Sequence, residues 1–277
     1  MSEIAHRPPA SRAAEIRRIA VALIHGAGSG HPGSCLSAAD LLAALYFGEL
    51  RAGTDRFVLS KGHACPALYA ALYLRGFFDR ATLGSFRRLG GVLQGSPTTA
   101  IPGVDATCGS LGQGFSIALG LALGMRQQRY DGRVYVMLGD RELQEGEVWE
   151  GAMSAGHYHL ANLCAIIDYN KMQSDDLNAQ VIGLEPLDDK WRAFNWHVCR
   201  INGHSFDEIA SAFTDARATT HRPTVVIADT IKGKGVSYME GVPAWHGSVT
   251  LKREEIRQAL ADLGVPGERQ ADYAFHG

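Results

Sequence analysis

The stretches Val134-Tyr-Val-Met-Leu-Gly139-Asp140 and Leu163-Cys-Ala-Ile-Ile-Asp-Tyr-Asn170 decide the fold of this chain. Each is a short apolar run that stops at a residue with an oxygen ligand. Between them, apolar residues recur at helical spacing from Glu145 to Tyr158. Strand, helix and strand form a βαβ unit, and its right-handed crossover sets the two strands parallel.

Asp140 and Asn170 are the candidate metal ligands. If the two strands are neighbours, both side chains emerge at the carboxyl edge of the sheet, where open α/β sheets bind ligands. One carboxylate and one neutral amide suit Mg²⁺ or Ca²⁺ shared with a phosphate. Taken alone, the two residues also fit a helix cap and a turn. Glu145 and Glu150 add carboxylates nearby, and the loop after Asn170 could turn a main-chain carbonyl toward the same cation.

Strands and helices alternate along the rest of the chain, which predicts an α/β fold: a parallel sheet with helices on both faces. With no repeat or low-complexity linker, residues 1–277 read as a single domain. A polar Gly/Pro/Thr-rich segment at Gly90–Gly109 is predicted to be a loop. The other predicted elements are helices Ala10–Ile24, Ser37–Tyr46 (opened by a Ser37 cap), Pro66–Leu74, Leu111–Gln127, Phe206–Thr219 and Lys252–Leu263, and strands Arg56–Leu59, His197–Ile201 and Thr224–Thr230.

Composition excludes several classes of protein. The 277 residues are 46% hydrophobic and 20% charged with a formal charge of −2, which is typical of a globular protein without a basic excess for nucleic acid. No apolar stretch is long enough for a bilayer and no leader precedes the first helix, so we expect a cytoplasmic protein without a membrane partner. Five cysteines, never spaced as CxxC, favour reduced structural thiols over zinc or disulfides.

The segment Gly109-Ser-Leu-Gly-Gln-Gly114 superficially resembles a dinucleotide fingerprint. Its glycine spacing does not match GxGxxG, and it follows a loop rather than a strand, so NAD is not expected. Two explanations remain open. The glycines permit either a tight entry into the next helix or a close approach of the backbone to a ligand.

Three histidines stand next to glycine in predicted loops: His31, His63 and His246. A lone loop histidine is usually only a surface residue. Three with glycine neighbours suggest imidazoles that are presented to a polyanionic ligand.

The motifs together resemble a known family. Ser29-Gly-His-Pro-Gly33, Phe57-Val-Leu-Ser-Lys-Gly-His63, Gly109-Ser-Leu-Gly-Gln-Gly114, Gly139-Asp140 with Asn170, Gly203-His204 and Trp245-His-Gly247 occur in this order in transketolases. The chain resembles their N-terminal thiamine-diphosphate-binding (PP-type) domain, and more closely the N-terminal subunit of split transketolases. The resemblance covers nearly the whole chain, from Arg17 to Leu263.

The resemblance implies thiamine diphosphate with Mg²⁺ or Ca²⁺ as cofactor. Asp140, Asn170 and the Met172 carbonyl would hold the cation. The cofactor-binding residues implied in this way are His63, Gly109, Ser110, Leu111, Gly139, Asp140, Arg141, Glu145, Asn170 and His246.

The same resemblance implies catalytic roles for three histidines. His63 and His246 would approach the diphosphate or the reacting centre, and His31 would serve substrate hydroxyls and proton transfer. Glu145 and Glu150 match carboxylates that link two active sites across a subunit interface in the family.

Two positions depart from the family pattern. Arg141 stands where glycine usually follows the Gly-Asp pair, so a positive φ there would be strained, whereas its guanidinium could reach a phosphate. Ser96, within Gly95-Ser96-Pro97, stands where Gly-His-Pro is common, so one imidazole of the substrate funnel is missing. This departure puts ordinary sugar-phosphate specificity in question.

The family's activating glutamate belongs to a pyrimidine-binding domain, and we expect this chain to lack both that domain and the C-terminal domain. The resemblance therefore implies a two-component transketolase that moves a two-carbon ketol unit from a ketose, phosphorylated in the usual case, to an aldehyde. Its partner would be a C-terminal transketolase-like subunit in an α2β2 heterotetramer. The alternatives are a non-catalytic regulatory partner and a deoxyxylulose-phosphate-synthase-like component.

Overall fold

A five-stranded parallel sheet forms the centre of the computed structural model, which describes residues 8–173 and 176–275. Its strands lie in the order β1-β2-β3-β5-β4 and all four neighbouring pairs are parallel. The strands are β1 Arg56–Leu59, β2 Val134–Gly139, β3 Leu163–Tyr169, β4 His197–Asn202 and β5 Thr224–Asp229.

Helices connect the strands. In the described part of the chain the α-helices are α1 Pro9–Ala27, α2 Pro32–Ala44, α3 Cys65–Leu74, α4 Arg80–Leu83, α5 Gln113–Gln127, α6 Gly146–His157, α7 Asn178–Val181, α8 Leu187–Ala193, α9 Phe206–Ala218 and α10 Arg253–Asp262. None of the described helices combines the length and apolar character needed to cross a membrane.

Both faces of the sheet are buried, as predicted. Because strand side chains alternate, Tyr135 and Met137 pack toward α1, α2, α3, α9 and α10, whereas Val136 and Leu138 pack toward α5, α6 and α8. The strands can therefore be apolar throughout, which is why they read as continuous hydrophobic runs in the sequence.

The predicted βαβ unit is β2–α6–β3. The two strands are direct neighbours, and Gly139 is paired in register with Asp168. Asp140 follows the end of β2 and Asn170 follows the end of β3, so both lie at the same carboxyl edge of the sheet. This part of the sequence prediction is confirmed.

The predicted cap at Ser37 is wrong. Helix α2 begins at Pro32, whose missing N–H is no loss in the first turn, and ends at Ala44 before a π-helical turn at Leu45–Glu49. Ser37 lies in the middle of α2 and is fully buried. Its hydroxyl donates a hydrogen bond to Asp168 Oδ2 at 2.6 Å. A distant carboxylate, rather than the helix terminus, therefore satisfies this serine.

The expected backbone strain at Arg141 does not arise. Asp140 has φ −64°, and Arg141 begins a short 3₁₀ turn, Arg141–Gln144, that precedes α6. Arg141 is not among the residues with positive φ. The turn therefore accepts a side chain where the family pattern has glycine.

Candidate active site

Asp140 and Asn170 are both buried at the carboxyl edge of β2 and β3. Asp140 is 2% exposed and Asn170 is 5% exposed. The Asp140 carboxylate accepts hydrogen bonds from the backbone N–H of Arg141 at 2.8 Å and of Lys171 at 2.5 Å. The loop after Asn170 thus reaches back to Asp140. The N–H of Met172 donates to Asn170 Oδ1 at 3.3 Å.

Two lysines that the sequence analysis gave no role lie in this site. Lys61 follows β1 and forms an ion pair with Asp168, and both side chains are almost fully buried. Lys232 is 2% exposed, and its ammonium donates to Asn170 Oδ1 at 3.4 Å. Lys61 belongs to the Ser-Lys-Gly-His motif of the sequence, so this motif indicated a role for it. No motif indicated a role for Lys232, which lies in a loop far along the chain.

Burial shifts the ionisation of this cluster. It raises the pKa of Asp140 to about 6, an effect that nearby Lys232 partly offsets. It lowers the pKa of Lys232 to about 7 despite the attraction of Asp140. For Asp168, burial acts to raise the pKa, but Lys61 and the hydroxyls of Ser37 and Thr230 outweigh it, and the net shift is downward. The Lys61–Asp168 pair is thus satisfied internally, whereas Asp140 lacks full compensation.

The three predicted histidines come together from distant parts of the sequence. His31 precedes the first residue of α2, and His63 lies in a 3₁₀ turn after β1. Their ring centroids are 5.1 Å apart, and His63 Nε2 lies 3.1 Å from the Ser34 hydroxyl. His246 belongs to a segment that contacts the His31 loop, since a Cβ on Gly33 would lie 2.8 Å from the Trp245 carbonyl.

The environment keeps these imidazoles neutral. Burial, followed by the charges of Arg87, Lys232 and Lys61, lowers the pKa of His31 to about 4. Burial and the two lysines lower the pKa of His246 to about 3. The Nδ1 atoms of both His31 and His246 are buried and have no hydrogen-bond partner in the described residues.

The Gly109–Gly114 segment enters α5 tightly, which is one of the two explanations left open by the sequence. Gly112 has φ +90°, a conformation that favours glycine, and directly precedes α5. A Cβ on Gly114 would lie 2.6 Å from Ser60 Cα, so the helix packs directly on the turn that carries His63. Gly109 and Ser110 are exposed, and a Cβ on Gly109 would lie 3.5 Å from the Ser96 hydroxyl.

Glu142 is a third residue to which the sequence gave no role. Its buried carboxylate accepts hydrogen bonds from the N–H of Gly112 at 2.7 Å, the N–H of Gly139 at 3.1 Å and the Ser60 hydroxyl. It therefore ties together the ends of β1 and β2 and the start of α5. In the sequence Glu142 lies among polar residues, and nothing there predicted that its carboxylate is buried.

Other predicted residues lie at the rim rather than in the buried cluster. Glu145 immediately precedes α6 and Glu150 lies within it, and both side chains are exposed. Arg141 is exposed but near enough to His246 to contribute to lowering its pKa. Leu111 is half-buried, and Met172 is 9% exposed beside Asn170.

Residues 10–271 match the family model described as the transketolase, thiamine diphosphate binding domain. The chain belongs to the transketolase family. It is 44% identical over 261 residues to the 6-deoxy-6-sulfo-D-fructose transketolase subunit SqwG of Clostridium sp. (strain MSTE9), covering 91% of this chain and 94% of that subunit. It is 39% identical over 255 residues to an apulose-4-phosphate transketolase subunit of Phocaeicola vulgatus, covering 89% and 90%.

Solved transketolases share the fold. The structure superimposes on transketolase from Leishmania mexicana with a TM-score of 0.88 at 29% identity, over 100% of this chain and 44% of that one. The chain thus spans less than half the length of that transketolase but nearly the whole length of the two subunits. The predicted transketolase family, the PP-type fold and a thiamine diphosphate cofactor with a divalent metal are therefore confirmed.

The transketolase cofactor fits the residues that are present. A buried carboxylate with a raised pKa beside an amide oxygen is a donor set for a hard divalent cation. Buried Lys232 supplies positive charge for a diphosphate, and two buried imidazole nitrogens lack partners in the described residues. An exposed glycine loop leaves room for a ring system at the mouth of the site.

Proposed function

We propose that this chain is the thiamine-diphosphate-binding subunit of a two-component transketolase, which transfers a two-carbon ketol unit from a ketose to an aldehyde. The observation that carries the proposal is the convergence of Asp140, Asn170 and three neutral imidazoles at one carboxyl edge of the sheet. When bound, thiamine diphosphate supplies the electron sink for cleavage of the carbon–carbon bond.

In this proposal Asp140, Asn170 and the Met172 carbonyl hold Mg²⁺ or Ca²⁺ against the diphosphate. The support is the burial of the first two side chains and the hydrogen bond from Met172 N–H to Asn170. Lys232, 3.4 Å from Asn170 Oδ1, adds positive charge on the same side. Arg141 lies at the rim near His246, where its guanidinium can meet an outer phosphate oxygen.

The three histidines have separate roles in this proposal. His63 and His246 approach the diphosphate or the reacting centre, and His31 exchanges protons with substrate hydroxyls. An imidazole with a pKa near 4 is neutral at physiological pH, so His31 accepts a proton before it donates one. Gly109, Ser110 and Leu111, next to Ser96, line the cofactor side of the entrance.

The partner in this proposal is a C-terminal transketolase-like protein that carries the activating glutamate. Two relatives that this chain matches over nearly their full length are named as subunits, which supports a single-domain chain that requires a second protein. We propose a cytoplasmic α2β2 complex in which α5 and α6 contact a second copy of this chain. Exposed Ile117 and Met153 on these helices support that contact, and Glu145 and Glu150 would link the two sites across it.

The substrate we propose is an anionic ketose other than the common sugar phosphates. The two subunit relatives are named for 6-deoxy-6-sulfo-D-fructose and for apulose 4-phosphate. Ser96, half-buried beside Gly109, replaces an imidazole with a shorter hydroxyl and widens the entrance. We expect Ser96→His to raise activity on xylulose 5-phosphate; a variant that folds normally but gains none contradicts the assignment of Ser96 to the funnel.

Two measurements test the function. Isothermal titration with thiamine diphosphate and Mg²⁺ should show metal-dependent binding that Asp140→Ala abolishes, whereas Asp207→Ala, on the exposed surface of α9, retains it. Mixing this chain with a pyrimidine-binding subunit should then yield ketol transfer that neither protein shows alone.

The outcomes separate the candidates. Cofactor binding without ketol transfer in any subunit mixture favours a regulatory role or a deoxyxylulose-phosphate-synthase-like reaction. Unchanged cofactor affinity in Asp140→Ala removes the metal assignment. Turnover by this chain alone contradicts the need for a partner.

A further inference from the structure

A second group of metal-ligating side chains lies far from the active site. His197 begins the edge strand β4, Cys199 lies two residues further on, and Asp215 lies near the end of α9, which packs on β4. Because strand side chains alternate, His197 and Cys199 project from the same face. Cys199 packs toward the core cluster that contains Phe213 of α9, which places this face against the helix.

The spacing of the ligand atoms matches a tetrahedral zinc site. Cys199 Sγ and His197 Nε2 are 3.4 Å apart. A thiolate and an imidazole on the same tetrahedral Zn²⁺ are separated by about 3.5 Å, given Zn–S of about 2.3 Å and Zn–N of about 2.0 Å. One ligand atom from each of the three residues lies within 4.8 Å of the others, so a side-chain rotation of Asp215 completes the set.

The Asp215 carboxylate is available for this role. Among the described residues it forms no ion pair or hydrogen bond, and Thr219 donates to the backbone carbonyl of Asp215 rather than to its carboxylate. A hydrogen bond between the Cys199 thiol and the His197 imidazole explains their contact. It does not explain why a carboxylate without such a bond stands beside both.

We propose that His197, Cys199 and Asp215 form a Zn²⁺ site with a water molecule as the fourth ligand. Nitrogen, sulfur and oxygen donors suit this borderline-soft ion. His197 and Cys199 are half-buried and Asp215 is exposed, so the ion can enter from solvent and the fourth position is open to water.

The site joins the edge strand to its covering helix. β4 pairs only with β5 in the described sheet, so a metal crosslink to α9 secures an edge that is otherwise held by one neighbour. Because a preformed site does not exist in the unfolded chain, bound Zn²⁺ stabilises the folded state. The proposed zinc site lies at the amino end of β4, whereas His63, Asp140 and Asn170 follow the carboxyl ends of β1, β2 and β3. The two sites can therefore be tested separately.

Cobalt titration of the metal-free full-length chain tests this proposal. We expect the intense visible absorption of tetrahedral Co²⁺ and a thiolate-to-cobalt charge-transfer band, both lost on addition of Zn²⁺. Cys199→Ser should remove the charge-transfer band, and Asp215→Asn should weaken metal affinity by at least ~10-fold. Asp207→Asn, a carboxylate change on the same helix, should leave the affinity unchanged.

Alkylation provides a second readout that needs no cysteine variant. Cys199 is the one cysteine of the five that is not buried, so mild alkylation reports on its thiol. Zn²⁺ should slow this reaction in the wild-type chain and much less in Asp215→Asn, with thiamine diphosphate binding the same in both. A charge-transfer band that is absent or that survives in Cys199→Ser, or alkylation that Zn²⁺ does not slow, overturns the proposal.

Discussion

At the scale of single residues, His31 shows how position changes an ordinary side chain. The pKa of its imidazole falls to about 4 because of burial and the charges of Arg87, Lys232 and Lys61. Its Nδ1 has no partner in the described residues, so the ring has a free nitrogen to offer to a substrate. The sequence showed only a histidine between glycine and proline.

We expect His31→Ala to lower turnover by roughly 10²–10⁴ in the assembled enzyme, because general acid–base catalysis is worth about that much. Cofactor affinity should change far less, since Asp140 and Asn170 remain in place. Steady-state kinetics with calorimetric titration of thiamine diphosphate measures both. His221→Ala, in the exposed loop before β5, is the control, and wild-type turnover in His31→Ala would show that His31 has only a structural role.

Glu142 has a structural role that is independent of the chemistry. Its carboxylate accepts from Ser60 and from two backbone N–H groups, so truncation leaves three buried donors unpaired. We expect Glu142→Ala to lower the free energy of unfolding by at least about 2 kcal/mol, because each unsatisfied buried donor costs roughly 1–3 kcal/mol. Glu142→Gln, which keeps an acceptor oxygen, should lose less. Urea unfolding of the isolated chain distinguishes the two, and equal losses contradict this account.

At the scale of elements, the contact between α5 and the turn after β1 positions His63. Gly114 allows the helix to touch the Ser60 backbone, where an added Cβ would come within 2.6 Å of Ser60 Cα. Backbone cannot rotate out of the way, so a side chain at position 114 must push the helix and the turn apart.

We expect Gly114→Ala to destabilise the chain by about 1–3 kcal/mol, which is typical of overpacking, and to weaken thiamine diphosphate binding. Gly124→Ala lies on the same helix with no atom within 4 Å of the added Cβ. This control should be neutral or gain up to about 1 kcal/mol in helix propensity. Thermal unfolding and cofactor titration of both variants make the comparison; equal stability of the two refutes the steric argument.

At the scale of the whole molecule, the cluster of neutral imidazoles makes the isolated chain sensitive to acid. In the unfolded chain a histidine titrates near pH 6.5, whereas the folded pKa values are about 4 for His31 and about 3 for His246. Between these limits the unfolded state binds more protons, so stability falls as the pH falls. Asp140, with a pKa raised to about 6, acts in the opposite direction between about pH 4 and 6.

We therefore expect the free energy of unfolding in wild type to contain a histidine contribution that is intact above pH 6.5 and decreases toward pH 4. His246→Asn removes one of these groups and leaves Asp140 unchanged, so its stability should fall less steeply over this range. Urea unfolding at several pH values gives the two slopes. Parallel pH profiles would show that His246 does not titrate differently on folding.

Local pattern in the sequence determined most of the fold. Strand runs, helical spacing and glycine-rich breaks predicted the β2–α6–β3 unit and the shared edge of Asp140 and Asn170, because each depends on contacts between residues close in sequence or on the chirality of the crossover. The order of the motifs along the chain predicted the transketolase family and its thiamine diphosphate cofactor. Glycine neighbours also singled out the three histidines, whose roles stay a prediction.

Only the tertiary structure decided which polar residues are buried together. Lys61 and Asp168 are 107 positions apart, and Ser37 and Asp168 are 131 positions apart, so no window of sequence shows that they meet. For the same reason the sequence wrongly predicted a helix cap at Ser37, and it could not show that Asp215 of α9 lies beside Cys199. Burial and pairing depend on contacts between elements, and these contacts form only when the whole chain packs. Periodicity depends only on the order of residues along the chain, so it can be read from the sequence.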